Sequence, residues 1–150
     1  MGQRRRDTPD GANAARIGAL LLGAAYVFAG VIGFVVTGFT GFVADTDESL
    51  LGFFDLNIFH NVVHLAIGAT ALLVSRMKDV SITQGVVIGV GLFYVVAALL
   101  GFLNDLQIIS INDALSVDNF FHLGTGVVAL LFGLTGVLQQ DRGERRETWA

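Results

Sequence analysis

The chain has 150 residues, 53% hydrophobic and 15% charged, with a formal net charge of −4; its mean hydropathy is +0.68. A soluble domain of this size carries roughly 25% charged residues, so the composition points to one membrane-embedded domain. There is no cysteine, which excludes disulfides, thiolate metal sites and thiol redox chemistry. No sustained basic face and no aromatic-basic interleaving occurs, so nucleic acid is not an expected partner.

Residues 1–15 are polar, with Arg4, Arg5, Arg6, Asp7 and the single proline, Pro9; they predict a flexible cytosolic tail. A charge-free run follows and predicts a first membrane span at about 16–37, long enough for a hydrocarbon core of about 30 Å. This run is longer than the roughly 7–15 apolar residues of a signal peptide, and it has an internal copy, so it is expected to stay in the protein. An acidic loop carries Asp45, Asp47 and Glu48. The second span is expected at about 58–75, with Asp55 or Asn57 capping its first turn. A basic turn holds Arg76 and Lys78, and the third span falls at about 82–103. A second acidic loop carries Asp105 and Asp113, and the fourth span runs from about 118 to 138, with Ser116 as its cap. Residues 139–150 predict a second cytosolic tail, with Arg142, Arg145 and Arg146.

Every lysine and arginine lies in the two tails, the middle turn or Arg16 at the foot of the first span, whereas the other two loops carry only acids. The positive-inside rule then places both termini in the cytosol and the acidic loops outside. The predicted fold is all-α, with four transmembrane helices built as two parallel-topology helical-hairpin repeats. Tyr26, Ala29, Gly33 and Phe34 recur as Tyr94, Ala97, Gly101 and Phe102 at an offset of 68. His60, Asn61, His64, Leu65 and Gly68 recur as Asp118, Asn119, His122, Leu123 and Gly126 at an offset of 58. Two hairpins that start on the same side are related by an axis along the membrane normal.

That symmetry puts His64 level with His122, and His60 level with Asp118. Counted up from Arg76, His64 lies about 18 Å and His60 about 24 Å above the inner surface. At about 100° per residue, His60, Asn61, His64 and Gly68 share one helix face, and so do Asp118, Asn119, His122 and Gly126. Polar residues within a span face other helices or water-filled space, not lipid. The expectation is therefore a paired polar site toward the outer face. Glycines at its base and along spans one and three (Gly33, Gly68, Gly85, Gly89, Gly101, Gly126) are expected at close helix contacts.

The pattern Asn57-x-x-His60-Asn61-x-x-His64-Leu65-x-x-Gly68, with Asp118-Asn119-x-x-His122-Leu123, resembles an uncharacterised family of four-span bacterial membrane proteins, catalogued as domain of unknown function 4383. The resemblance covers residues 16–138, and Leu115 departs from it where the first copy has Asn57. It implies a multi-pass topology and location in the bacterial plasma membrane, and no activity.

Three readings of the polar residues follow from their chemistry. In the first, which the residues favour, they are structural: Asn61 and Asn119 hydrogen-bond between the two helices, Asp118 sits at a helix N-terminus, and the site organises helix packing or an interaction. In the second, His60, His64, His122 and Asp118 ligate a divalent metal such as Zn²⁺. Alternatively His64 and His122 ligate haem b axially, which needs a wide apolar slot, while Phe59, Phe120 and Phe121 suit ordinary span packing equally well. In either case Asn57, Asn61 and Asn119 are hydrogen-bond partners around the site. In the third, protonated His60 pairs with Asp118 in a pH-responsive sensor or a proton or small-solute transporter. The chain has no nucleophile triad, phosphate loop or dinucleotide fingerprint, so an enzyme is not expected. The expected surroundings are the lipid bilayer, and the small-residue rows would admit a homo-oligomer or a membrane-protein partner.

Overall fold

The computed structural model describes residues 13–39, 42–43 and 49–148, with Glu147 described in its backbone alone. The expected N-terminal tail up to residue 12, the acids Asp45, Asp47 and Glu48, and residues 149–150 lie outside the described residues.

Four α-helices make up nearly all of what is described: α1 (Ala14–Thr37), α2 (Ile58–Val74), α3 (Val80–Phe102) and α4 (Val117–Thr148). Helices α1, α3 and the segment Val117–Arg146 of α4 are long and apolar enough to cross a membrane. Helix α2 is equally apolar but has only 17 residues. Its ends are set by Asn57, whose side chain accepts from the His60 N–H, and by a turn at Ser75 and Arg76 before Asp79 caps α3. A two-stranded antiparallel hairpin, β1 (Ser49–Leu50) and β2 (Phe54–Asp55), precedes α2. A 3-10 turn at Gln107–Ile109 lies between α3 and α4. Residues 139–148, expected as part of a cytosolic tail, continue α4 as helix to Thr148. Gln, Arg and Glu are strong helix formers, and nothing before Thr148 stops the helix.

Helix α1 packs along α2, α3 packs along α4, and α1 also touches α4. Asn13 joins the ends of this last pair by donating to the Gly136 carbonyl at 3.1 Å. The fully buried positions include small residues, Ala15, Ala19, Ala98 and Ala129, while Val35 is 80% and Leu131 61% exposed. Small residues inside and large apolar residues outside suit a lipid surround, where close backbone approach replaces the hydrophobic drive.

Glycine contacts show how close the approach is. A Cβ on Gly68 would lie 2.6 Å from the Val27 nitrogen and 3.0 Å from the Gly23 carbonyl oxygen; one on Gly126 would lie 2.9 Å from both the Val95 nitrogen and the Gly91 carbonyl. Gly33 faces the side-chain amide of Asn61, and Gly101 faces that of Asn119. Gly85 and Gly89, expected at contacts, have nothing within 4 Å. They sit away from α4, and Gly91 occupies the contact face instead. Gly23, Gly30 and Gly91 are contact glycines that spacing did not single out.

Candidate functional site

The polar cluster is assembled where the first turns of α2 and α4 meet the middles of α1 and α3. Asn57 is fully buried. Besides capping α2, it donates to the Ile108 carbonyl at 3.0 Å, which ties the second loop to the start of α2. Its replacement, Asn57→Ala, removes both bonds and is expected to cost about 2 kcal/mol. The loss is read as a lower unfolding midpoint in mild detergent; an unchanged midpoint would show that the cap carries no stability.

One turn of helix brings His60 and His64 to the same face, and their ring centroids are 4.4 Å apart. His122 of α4 lies across from them, 5.9 Å from the His60 ring. One ring nitrogen from each of the three histidines lies within 4.8 Å of the other two. All three side chains are buried, His60 at 1% exposure. His60 Nδ1 lies 3.2 Å from the Asp55 carbonyl. The Ile109 backbone also faces this ring, so two backbone carbonyls compete for its N–H. His60 Nε2, His64 Nδ1 and His122 Nδ1 are buried with no hydrogen bond of ordinary geometry.

Two tyrosines wall this cluster. Tyr26 of α1 meets His64 edge-on at 5.0 Å, and Tyr94 of α3 lies 5.3 Å from His122. The two tyrosine rings stack at 5.0 Å, and the Tyr26 hydroxyl donates to Thr125 Oγ1 at 3.1 Å. The sequence marks both tyrosines by their offset of 68, but a span aromatic reads first as packing.

The asparagines do not bridge α2 and α4. Asn61 donates to Thr37 Oγ1 of α1 at 2.9 Å, and Thr37 in turn donates to the Gly33 carbonyl at 3.0 Å. Asn119 donates to the Asp113 and Ala114 carbonyls, both at 3.1 Å, in the loop before its own helix. Each asparagine presses its amide onto a glycine of the preceding helix instead.

Asp118 is buried, but its partner is the Asp55 N–H, at 3.1 Å, and not His60. Ser116 Oγ accepts from the Asp118 N–H at 3.3 Å, as a cap at that place should. Asp55 thus joins two parts of the site: its N–H is held by α4 and its carbonyl faces the His60 ring. Partial burial pushes its own carboxyl above the usual carboxylate range. Phe54 beside it meets Phe121 edge-on at 4.8 Å. The expected four-ligand set is therefore three imidazoles with Asp118 turned to the hairpin. Phe59, Phe120 and Phe121 pack on Phe42, Phe102 and Phe54 respectively, not around the imidazoles. Five aromatic rings, Tyr26, His60, His64, Tyr94 and His122, form a connected set of contacts with neighbouring centroids 4.4–5.9 Å apart.

The family described as Domain of unknown function (DUF4383) matches residues 16–135. The chain belongs to that family. No curated protein matches it, and no solved structure does. The DUF4383 match covers α2 and α3 whole, α1 from Arg16 and α4 as far as Thr135, so it contains every residue of the cluster.

Proposed function

We propose that this DUF4383 member is a four-span protein of the bacterial plasma membrane whose three-histidine cluster holds one metal ion in the outer half of the bilayer. Both termini are cytosolic in this reading, supported by the segregation of basic and acidic residues. The two hairpins are repeats. Support comes from contacts that recur at the same two offsets: Gly33 on Asn61 as Gly101 on Asn119, and Gly23 beside Gly68 as Gly91 beside Gly126.

The observation that carries the metal reading is the convergence of three ring nitrogens within 4.8 Å, in a place where three ring nitrogens are orphaned. An unpartnered buried polar group costs about 1–3 kcal/mol, and three in one place need a common partner. Bonds of about 2.0 Å would set donors about 3.4 Å apart, so side-chain rotations of little more than 1 Å close the site. The contact of His60 Nδ1 with a backbone carbonyl is the support that a ligating imidazole ordinarily has.

The test is metal content and visible absorption of the full chain in mild detergent after incubation with single metals. One ion per chain is expected, lost in His64→Ala and in His122→Ala. No uptake of any metal, or a Soret band that follows His64 and His122, would overturn the single-ion reading. The structural role belongs to Asn61 and Asn119, which are anchored to protein partners and seated on glycines. Asn61→Leu is accordingly expected to weaken α1–α2 packing without touching the ion's donors, and retained stability in that variant would count against it.

A further inference from the structure

The hairpin that precedes α2 is apolar where a turn in water is ordinarily polar. From Ser49 to Phe54 the sequence reads Ser-Leu-Leu-Gly-Phe-Phe, with no charge until Asp55. The strands pair Leu50 with Phe54, and the Phe53 N–H donates to the Leu50 carbonyl at 3.4 Å. Leu51 and Gly52 make the turn between them, at φ values of 59° and 81°. Two successive positive φ angles are what Asn-Gly or Asp-Gly ordinarily supplies in a hairpin. A short polar side chain tolerates the left-handed region, and a branched hydrocarbon does so poorly. Water would favour the polar choice as well. Leucine nevertheless holds the position and is 74% exposed, and Phe53 beside it is 47% exposed.

We propose that the tip of this hairpin, Leu51 and Phe53, is seated among the acyl chains of the outer leaflet, as a lipid anchor beside the start of α2. The proposal rests on the bilayer-spanning part of the reading above and not on the metal ion.

Continuity with the helix surface identifies lipid as the occupant. Phe53 meets Phe54 at 4.7 Å, and Phe54 meets Phe121 edge-on at 4.8 Å. Phe121 is itself 58% exposed on α4, a helix long and apolar enough to cross a membrane. A row of rings therefore leads from the exposed face of a span to the hairpin tip. The base of the hairpin is fixed to two helices. The Asp55 N–H donates to Asp118 of α4, and two residues later Asn57 caps α2. The tip is thus held beside the starts of both helices. Backbone chemistry limits its depth. A two-stranded ribbon has unpaired N–H and C=O groups along its edges, which hydrocarbon cannot satisfy. The strands stay at the level of the headgroups, and only apolar side chains pass into the acyl boundary, where interfacial elements seat Phe and Leu.

The chain has no cysteine, so one introduced thiol carries one nitroxide label. Leu51→Cys, Phe53→Cys, Leu131→Cys and Asp105→Cys are each labelled in the full chain and reconstituted into phosphatidylcholine vesicles. Spin relaxation then compares collisions with oxygen, which concentrates in lipid, and with a water-soluble nickel chelate. Leu131, exposed on α4, reports the lipid face, and the exposed Asp105 of the second loop reports water. The oxygen-to-nickel collision ratio at Leu51 and Phe53 is expected to fall on the Leu131 side of the midpoint between these controls. Phe53 has no positive φ, so its label decides if Leu51→Cys disturbs the turn and the two differ. A ratio on the Asp105 side would overturn the lipid anchor and leave the spans standing. Shielding of the label from both reagents would also overturn it, with protein, such as a second copy of the chain, covering the tip instead. A water-like ratio at Leu131 would overturn the spanning reading beneath it.

Discussion

Gly101→Ala is expected to lose about 3–5 kcal/mol of stability, more than most single substitutions do. The added Cβ would be driven into the side-chain amide of Asn119, which has nowhere to go. Asn119 is fully buried, and its two donor hydrogens are committed to the Asp113 and Ala114 carbonyls. Overpacking at a tight contact costs about 1–3 kcal/mol. Displacing the amide also strands buried polar groups, at about 1–3 kcal/mol more. Gly33→Ala meets Asn61 in the same way. Gly85→Ala is the internal control, because nothing lies within 4 Å of its Cβ position. There alanine is the better helix former and should be neutral or stabilising by up to about 1 kcal/mol. Unfolding of the three variants in a mixed-micelle titration separates them. If Gly101→Ala and Gly85→Ala unfold alike, the interlock between glycine and asparagine is not what holds the hairpins.

The second large effect is on the coupling between metal and fold. An ion bound at 100 times its dissociation constant stabilises the state that holds it by about 2.7 kcal/mol. For a chain of this size that is a rise of roughly 10 °C in the unfolding midpoint. Chelation should remove the rise. His122→Ala should lie near the chelated wild type and show no response to metal, because two donors on α2 cannot clamp α4. This variant also separates ligation from packing: if His122 served packing alone, its loss would lower the midpoint but leave the response to metal intact. A wild-type midpoint indifferent to both metal and chelator would remove the linkage altogether.

The helices were legible because their cause is local. Lipid excludes charge, so an uncharged run bounded by Arg16, Arg76 or Asp79 declares itself, and Asn57 and Ser116 stand where helix N-termini need side-chain acceptors. The three histidines were legible for a related reason, since an imidazole in an apolar run calls for a partner. Their pairing was not. Helical periodicity gives a face and a depth but says nothing about what a loop folds back to capture, and here the Asp55 N–H takes Asp118 away from His60. The asparagines were misassigned for the same reason: each finds a nearer partner in a neighbouring helix end or loop. Glycine spacing was ambiguous because Gly85 and Gly91 look equally suited to a contact, and only the rotation of α3 against α4 decides which one meets it.

Helix α2 has 17 residues, which at 1.5 Å per residue reaches about 26 Å. In the spanning arrangement proposed above, that is a few ångströms short of an average hydrocarbon layer. A short span is accommodated by pinching the bilayer or by tilting its longer neighbours. In that arrangement a pinch at the outer end would centre where Asn57 and the hairpin meet His60. Headgroups would then be drawn down around that point, and a hydrated cation arriving there would shed its water over less than the usual depth of oil. Loading of the cluster should then respond to lipid chain length, fastest in thin bilayers and slowest in thick ones, with no change in any donor.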